Sequence, residues 1–432
     1  MTSQVIDVRP SMPPTAEPQA SAPPAPRPAS APSLPSGTRH RVGFWIVAFA
    51  FVVAMAFSTA PTPLWTLYRQ RDHFSTAAVT VAFAAYAVGV VASLFLAGHI
   101  SDWRGRRRVL VPAILLEAVA AAVFLLCPDL PGLVLARVVT GFGVGMVTAT
   151  ATAHLAELHA VASPGASPLR PGLVATAANL GGLALGPLVA GILAQYVDGK
   201  LTVPYLLFLV LLLGSAVGLA VVPETVPADR AESQAYRPQR VAVPPTGRVR
   251  YLAVAGAAFG LFAILGLFTS LAPSFLASIG QTAPAAAGLV AFGVFGAATV
   301  AQLLLGRVAP ARQLALGLPG TVLGVVVLTA GVLLASPAGF LAGGLIAGGG
   351  AGVLLKGALG TVATLAPNHA RGEAIAGVFL TAYVGLALPV LGVGFASQLG
   401  VPLATSLVGF SALVLGVLAA VAAALRRYPA TA

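Results

Sequence analysis

An all-α integral membrane protein of about twelve spans, in two six-helix halves, is what this sequence predicts, on three observations. Hydrophobic residues make up 58% of the 432 positions and charged residues only 8%, where a soluble domain carries roughly 25% charged residues. Apolar runs of bilayer length recur along the chain, and a hydrocarbon core about 30 Å thick needs roughly 20 such residues per helix. The one long polar interval inside the chain, 223–250, leaves six runs before it and six after.

The first 41 residues are rich in Pro, Ala and Ser, as in Ser21-Ala22-Pro23-Pro24-Ala25-Pro26. Without apolar periodicity they predict a disordered tail. A signal peptide needs a basic start, a short apolar core and a cleavage site. Here the first run is of span length and reads as a retained helix. Six runs follow at 43–67, 76–98, 109–127, 131–155, 172–195 and 204–222. The second six fall at 251–279, 284–305, 314–335, 339–364, 374–397 and 401–424. The expected organisation is a tail (1–41), an N-terminal half (42–222), a linker (223–250), a C-terminal half (251–425) and a short C-tail (426–432).

A formal charge of +12 raises the question of nucleic acid. The Arg residues sit in short connectors between runs, not in a stripe or an aromatic-interleaved patch, so that partner is excluded. Counting Lys and Arg by connector puts 19 on one side and three (Arg69, Arg71, Lys200) on the other. By the positive-inside rule both termini are cytoplasmic. Arg outnumbers Lys 22 to two, with abundant Ala, as in a GC-rich bacterial genome, so a bacterial inner membrane is expected. A single cysteine, Cys127, excludes an intrachain disulfide framework. At the end of an apolar run it reads as an inert packed thiol. No cofactor and no metal site are expected.

The connector after the second run reads Gly98-His99-Ile100-Ser101-Asp102-Trp103-Arg104-Gly105-Arg106-Arg107-Arg108. Glycines permit a tight turn at the membrane surface, and Arg holds it on the positive side. This stretch resembles the signature loop of the major facilitator superfamily, G-x-x-x-D-x-x-G-R-R. It departs in having Trp103 where an Arg is usual and Arg104 one place later. The resemblance implies a latch of Asp102, Arg106 and Arg107 closing the cytoplasmic side, with Glu157 an ionic partner and the helix start at Gly372-Glu373 a dipole partner for Asp102. The alternative is an Arg run that only sets topology; the Gly and Asp spacing exceeds what topology requires.

The fourth run carries Arg137 followed by Gly141, Gly143 and Gly145, a pattern similar to that family's fourth helix. A charge inside a span faces the bundle interior or snorkels to the interface, and Arg137 is near enough to the run's end for either. The fifth run carries Asn179 and then Gly182, Gly186, Pro187 and Gly191. Small residues four apart let helices approach closely, and Pro bends the span. The combination G-x-x-x-G-P-x-x-x-G resembles the drug:proton antiporter branch. The sixth run ends Val222-Pro223-Glu224-Thr225, also similar to that family. Faint echoes recur in the second half at Gly306-Arg307 and around Tyr383. The likeness covers about 43–425 and implies a single-chain alternating-access carrier.

Such a carrier holds a small-molecule substrate near the midplane between its halves. Candidates there are Thr62, Trp65, Tyr68, Thr148, Thr152, Asn179, Thr269, Ser270 and Lys356. Trp65 and Tyr68 also suit an interfacial aromatic belt, and a helical Ser or Thr often bonds its own backbone. Proton coupling needs a group that titrates inside the membrane, and burial shifts a carboxyl toward neutral pH. Glu117 is the only acid near the middle of a run, although a neutral hydrogen-bonded Glu117 is an alternative. Lys356 either snorkels or attracts an anion. His154 and Glu157 lie three apart on one helix face, close to His159, and could hold a metal or a proton, but no third ligand is evident, so a polar helix end is expected. The resulting expectation is a proton-driven exporter; the rival is uptake of a neutral or anionic metabolite, because the first run lacks an acid. A membrane enzyme handling metal-bound phosphate needs clustered Asp, Glu or His, which the runs do not offer, and no output domain suggests a sensor.

Overall fold

The computed structural model describes residues 2, 36–98, 100–167, 169–226, 236, 238–244, 247–367 and 370–428. Among these, twelve helices are long and apolar enough to cross a bilayer. They are α1 (Gly37–Asp72), α2 (Thr76–Leu96), α3 (Arg106–Leu126), α4 (Leu130–Ala162), α5 (Leu169–Tyr196) and α6 (Val203–Ala220). The second six are α7 (Arg248–Ser278), α8 (Pro284–Leu304), α9 (Pro310–Leu333), α10 (Pro337–Leu365), α11 (Arg371–Gln398) and α12 (Leu403–Arg427). Twelve alternating crossings bring the start of α1 and the end of α12 to one face, the terminal face; the other is the distal face.

The tail expected to be disordered lies outside the described residues up to 35, apart from Thr2. Helix begins at Ser36, six residues ahead of the expected boundary. Its first turns carry Arg39 and Arg41, good helix formers that suit a membrane surface. Likewise α4 runs seven residues past its apolar run and carries Glu157 and His159 on its last turns.

Local chemistry sets the helix ends. Ser75, Asp129 and Ser336 cap α2, α4 and α10 by accepting from the N–H groups of Ala78, Gly132 and Gly339, each at 3.1 Å. Pro61 and Pro63 lack the N–H a continuous helix needs, so α1 passes through a 3-10 turn at Thr62–Leu64 before resuming at Trp65. That break carries Trp65 and Tyr68 into the interior, 1% and 0% exposed. The belt alternative therefore fails: these rings pack inside the bundle, where the Tyr68 hydroxyl meets that of Tyr205 at 3.3 Å.

The halves meet along two helix pairs, α5 with α8 and α2 with α11. The α5 glycines work on both sides of that helix. A side-chain carbon on Gly182 would lie 2.7 Å from Met55 Cβ, and one on Gly186 would overlap the Ala56 carbonyl oxygen, both on α1. A carbon on Gly191 would lie 2.6 Å from the Pro284 carbonyl oxygen on α8, in the opposite half. Cys127, expected to be packed, is exposed where α3 ends and the chain turns toward α4. Proximity to an apolar run does not bury a residue already past the last helical turn.

Candidate functional site

A cavity of about 280 Å³ lies between the halves, with walls from both. On the terminal side it is lined by Thr152 and Gly172, both exposed, and by Thr176, Asn179 and Leu359. Its distal end is closed. Residues Leu267–Leu276 of α7 are all buried, as are Thr62, Leu64, Trp65 and Tyr68 of α1. Two hydrogen bonds cross between the halves there: Arg69 Nη1 donates to Ser274 Oγ at 3.2 Å, and the Ala285 N–H donates to Gln195 Oε1 at 3.1 Å. The cavity thus opens toward the terminal face only.

Arg137 lines this cavity at 3% exposure. Its Nη1 donates to the Ser58 carbonyl at 2.6 Å, its guanidinium stacks 4.5 Å from the Tyr86 ring centre, and its Nε has no partner. Tyr86 in turn faces Tyr383 of the opposite half, ring centres 6.4 Å apart, and Tyr383 meets Phe262 at 5.2 Å. Thr62, Thr148, Thr152, Asn179 and Thr269 also line the cavity. Most of these hydroxyls are committed to helix carbonyls, as Thr148 Oγ1 is to Val144 at 2.8 Å.

Other candidates lie elsewhere. Glu117 is fully buried, yet it points at Gly143 of α4 and not into the cavity. A side-chain carbon at Gly143 would sit 2.9 Å from Glu117 Oε1, so the glycine makes room for the acid. Neither carboxyl oxygen has a hydrogen-bond partner among the described residues. Lys356 reaches the end of α8: a carbon on Gly306 would meet Lys356 Nζ at 2.9 Å and the Gln302 carbonyl oxygen at 3.0 Å. A cation beside terminal carbonyls is favoured by the helix dipole. Trp65 and Ser270 are absent from the lining. The in-span charges are thus distributed over three places.

The signature loop folds into a polar cluster within the N-terminal half. Arg106 donates to Asp102 Oδ1 at 2.5 Å, to Glu157 Oε1 at 2.8 Å and to Ser101 Oγ at 2.8 Å. Glu157 Oε2 also accepts from Thr225 Oγ1 at 2.5 Å. Gly105 takes φ +108°, a region that favours glycine, and a side-chain carbon there would meet Glu224 Oε2 at 2.6 Å. Glu224 caps α3 by accepting from the N–H groups of Arg106 and Arg107 at 2.8 and 3.1 Å. Arg107 reaches the Ala220 carbonyl at 3.2 Å.

Asp102 and the helix start at Gly372-Glu373, its expected partner when the cytoplasmic side is closed, are not engaged in this conformation, which is open to the terminal face. The Asp102 side chain bonds Arg106 in its own half and is 63% exposed. Linker residues occupy the ground between α2 and α11 instead. The Tyr236 hydroxyl donates to the Leu96 carbonyl at 3.1 Å, the Gln239 N–H to that of Phe95 at 2.8 Å, and the Ala242 N–H to that of Glu373 at 3.4 Å. His154 Nε2 lies 3.1 Å from the Pro223 carbonyl, and no group of three metal-binding side chains occurs among the described residues.

Sequence reasoning missed Gln302, Tyr86 and Phe379, which line the cavity. A Gln in an apolar run was a readable signal; the aromatic positions carried none. The Arg69–Ser274 contact was also unread, since it joins residues about 200 positions apart.

Comparison with known proteins places this geometry. The family model described as Major Facilitator Superfamily matches residues 46–388. Over 70 residues, 16% of this chain, the sequence is 36% identical to the arabinose-proton symporter of Bacillus subtilis (strain 168). The match spans 15% of that curated relative's length. The human organic anion transporter MFSD10 (TETRAN) aligns at TM-score 0.61 and 16% identity, covering 88% of this chain and 99% of that one. A bacterial homologue of the human lysosomal transporter Spinster, in an inward-facing and occupied conformation, aligns at TM-score 0.67 and 14% identity, covering 89% and 96%. Two interlocked six-helix halves, a cavity between them and a match over most of the length lead to one conclusion: this chain belongs to the Major Facilitator Superfamily, as a multi-pass membrane transporter.

Proposed function

We propose that the chain is a proton-coupled alternating-access carrier for a small neutral or anionic solute, in a bacterial inner membrane with the terminal face cytoplasmic. The observation that carries this reading is the cavity itself, shared by both halves, open at the terminal face and closed at the distal one. The Arg-rich connectors Arg104–Arg108, Arg307, Arg312, Arg426 and Arg427 lie on the terminal face, which supports its cytoplasmic placement. The latch role of Asp102, Arg106 and Arg107 belongs to the opposite conformation, in which α2 and α11 close over the cavity.

The α5 motif supports proton-driven drug efflux only by resemblance; in this chain its glycines pack α1 and α8. A cavity for lipophilic cations would offer an acid, and none of the described lining residues is acidic. The lining therefore favours metabolite transport over export of cationic drugs. The short likeness to a proton symporter points the same way.

Glu117 is the proton site in this reading. An unpartnered carboxylate in an apolar interior is costly, so gain and loss of a proton there changes the packing energy of α3 against α4. In proteoliposomes, a gradient of the transported solute, found by screening sugars and organic acids, is expected to drive proton movement through the wild-type chain. Glu117→Gln should abolish that proton movement while leaving solute exchange. A Glu117→Gln protein that still moves protons with its solute removes Glu117 from the mechanism.

A further inference from the structure

We infer that the transported solute is a monoanion with a compact apolar or aromatic body, and that Arg137 is the residue that binds its charge. The inference rests on the cavity being the transport site. Arg137 is the one formal charge among the described lining residues. It is nearly fully buried, yet no carboxylate forms an ion pair with it: Nη1 is committed to the Ser58 carbonyl, and Nε has no partner. The in-span acid, Glu117, is turned toward Gly143 and absent from the cavity wall. A buried cation held by one carbonyl and the Tyr86 and Phe83 rings, with no acid in contact, is costly, and a bound anion relieves that cost.

The rest of the lining defines the body that the anion carries. Phe83, Phe262, Phe295, Phe379 and Tyr383 present apolar and aromatic surface. The volume of about 280 Å³ falls just below the roughly 300–1,000 Å³ typical of small-molecule sites. Asn179 and Gln302 lie on the terminal side of the wall as its two side-chain amides among the described residues. They suit one further polar group on the solute. A dianion would bring a second charge with nothing to pair it, and a cation would face Arg137 directly.

The test is a charge series on the purified full-length protein. Benzoate, phenylacetate and branched aliphatic carboxylates are each matched by the amide and by the trimethylammonium analogue, and binding is measured by titration calorimetry. At least one carboxylate is expected to bind about 10- to 100-fold tighter than its amide, the gain of a charge-assisted hydrogen bond. The ammonium analogue should bind weakest. Arg137→Gln should erase most of that carboxylate's advantage over its amide, and a melting temperature close to wild type separates loss of charge recognition from loss of the fold. Arg137→Lys, which keeps the charge and loses the planar fork, should retain part of the preference. If amides bind and no carboxylate exceeds its amide, the cavity remains a solute site and the monoanion inference fails. A preference that survives in Arg137→Gln also overturns it. Failure of every compound to bind counts against the cavity as the site and against the inference together.

Discussion

Asp102→Asn is expected to abolish net transport while leaving insertion, yield and thermal stability close to wild type. In the conformation open to the terminal face, Asp102 is largely exposed and meets only Arg106. An exposed ion pair contributes no more than about 1 kcal/mol, and Arg106 keeps its bonds to Glu157 and Ser101. The fold therefore loses little. In the proposed reading the loss falls on the other conformation, in which the terminal-face ends of α2 and α11 close together and a negative charge at the start of α11 is favoured by the helix dipole. Transport assay beside a melting curve checks this. Transport at the wild-type rate would reduce the loop to a topology signal, and a melting point that collapses with activity would make Asp102 structural.

A larger loss of stability is expected at Gly186. A side-chain carbon there would overlap the Ala56 carbonyl oxygen and lie 2.5 Å from Thr59 Oγ1, itself bonded to the Leu183 carbonyl at 2.9 Å. Neither helix backbone can yield without separating α1 from α5, and overpacking of this kind costs about 1–3 kcal/mol or more. Gly186→Val should therefore lower the melting temperature and the yield of folded protein. Gly181→Val, five residues earlier on the same helix, is the control, because a side-chain carbon there meets nothing within 4 Å. Equal behaviour of the two variants would contradict the packing account of the motif.

The contrast between these glycines marks how far the sequence could be read. Apolar run length placed all twelve spans, because bilayer thickness fixes helix length regardless of tertiary contacts. Glycine spacing on the fifth run identified a packing face, but which neighbour each glycine touches depends on helix order in space. Arg137 was legible as an in-span charge. Its commitment to Ser58 and Tyr86 was not, since those residues lie on other helices. Glu117 was singled out correctly as the mid-span acid, while its direction depended on the gap left by Gly143. Glu224 was noted only as part of a family-like ending, and its capping of α3 joins positions more than a hundred residues apart. Trp65 was misread as a candidate belt residue because a Pro-broken helix end turns its side chains inward, an effect outside simple periodicity.

Alternating access requires the cavity to open to the two faces in turn, so a link that locks the distal closure should stop transport. Cys127 is the chain's only cysteine, so Cys127→Ser supplies a cysteine-free background. Arg69→Cys and Ser274→Cys introduced together place one thiol in each half across the distal gate, where a short bifunctional thiol reagent joins them. Solute transport is expected to stop when the link forms and to return when the link is cleaved, while binding from the terminal face persists throughout. Transport continuing at the uncrosslinked rate with the link intact would contradict alternating access through this cavity.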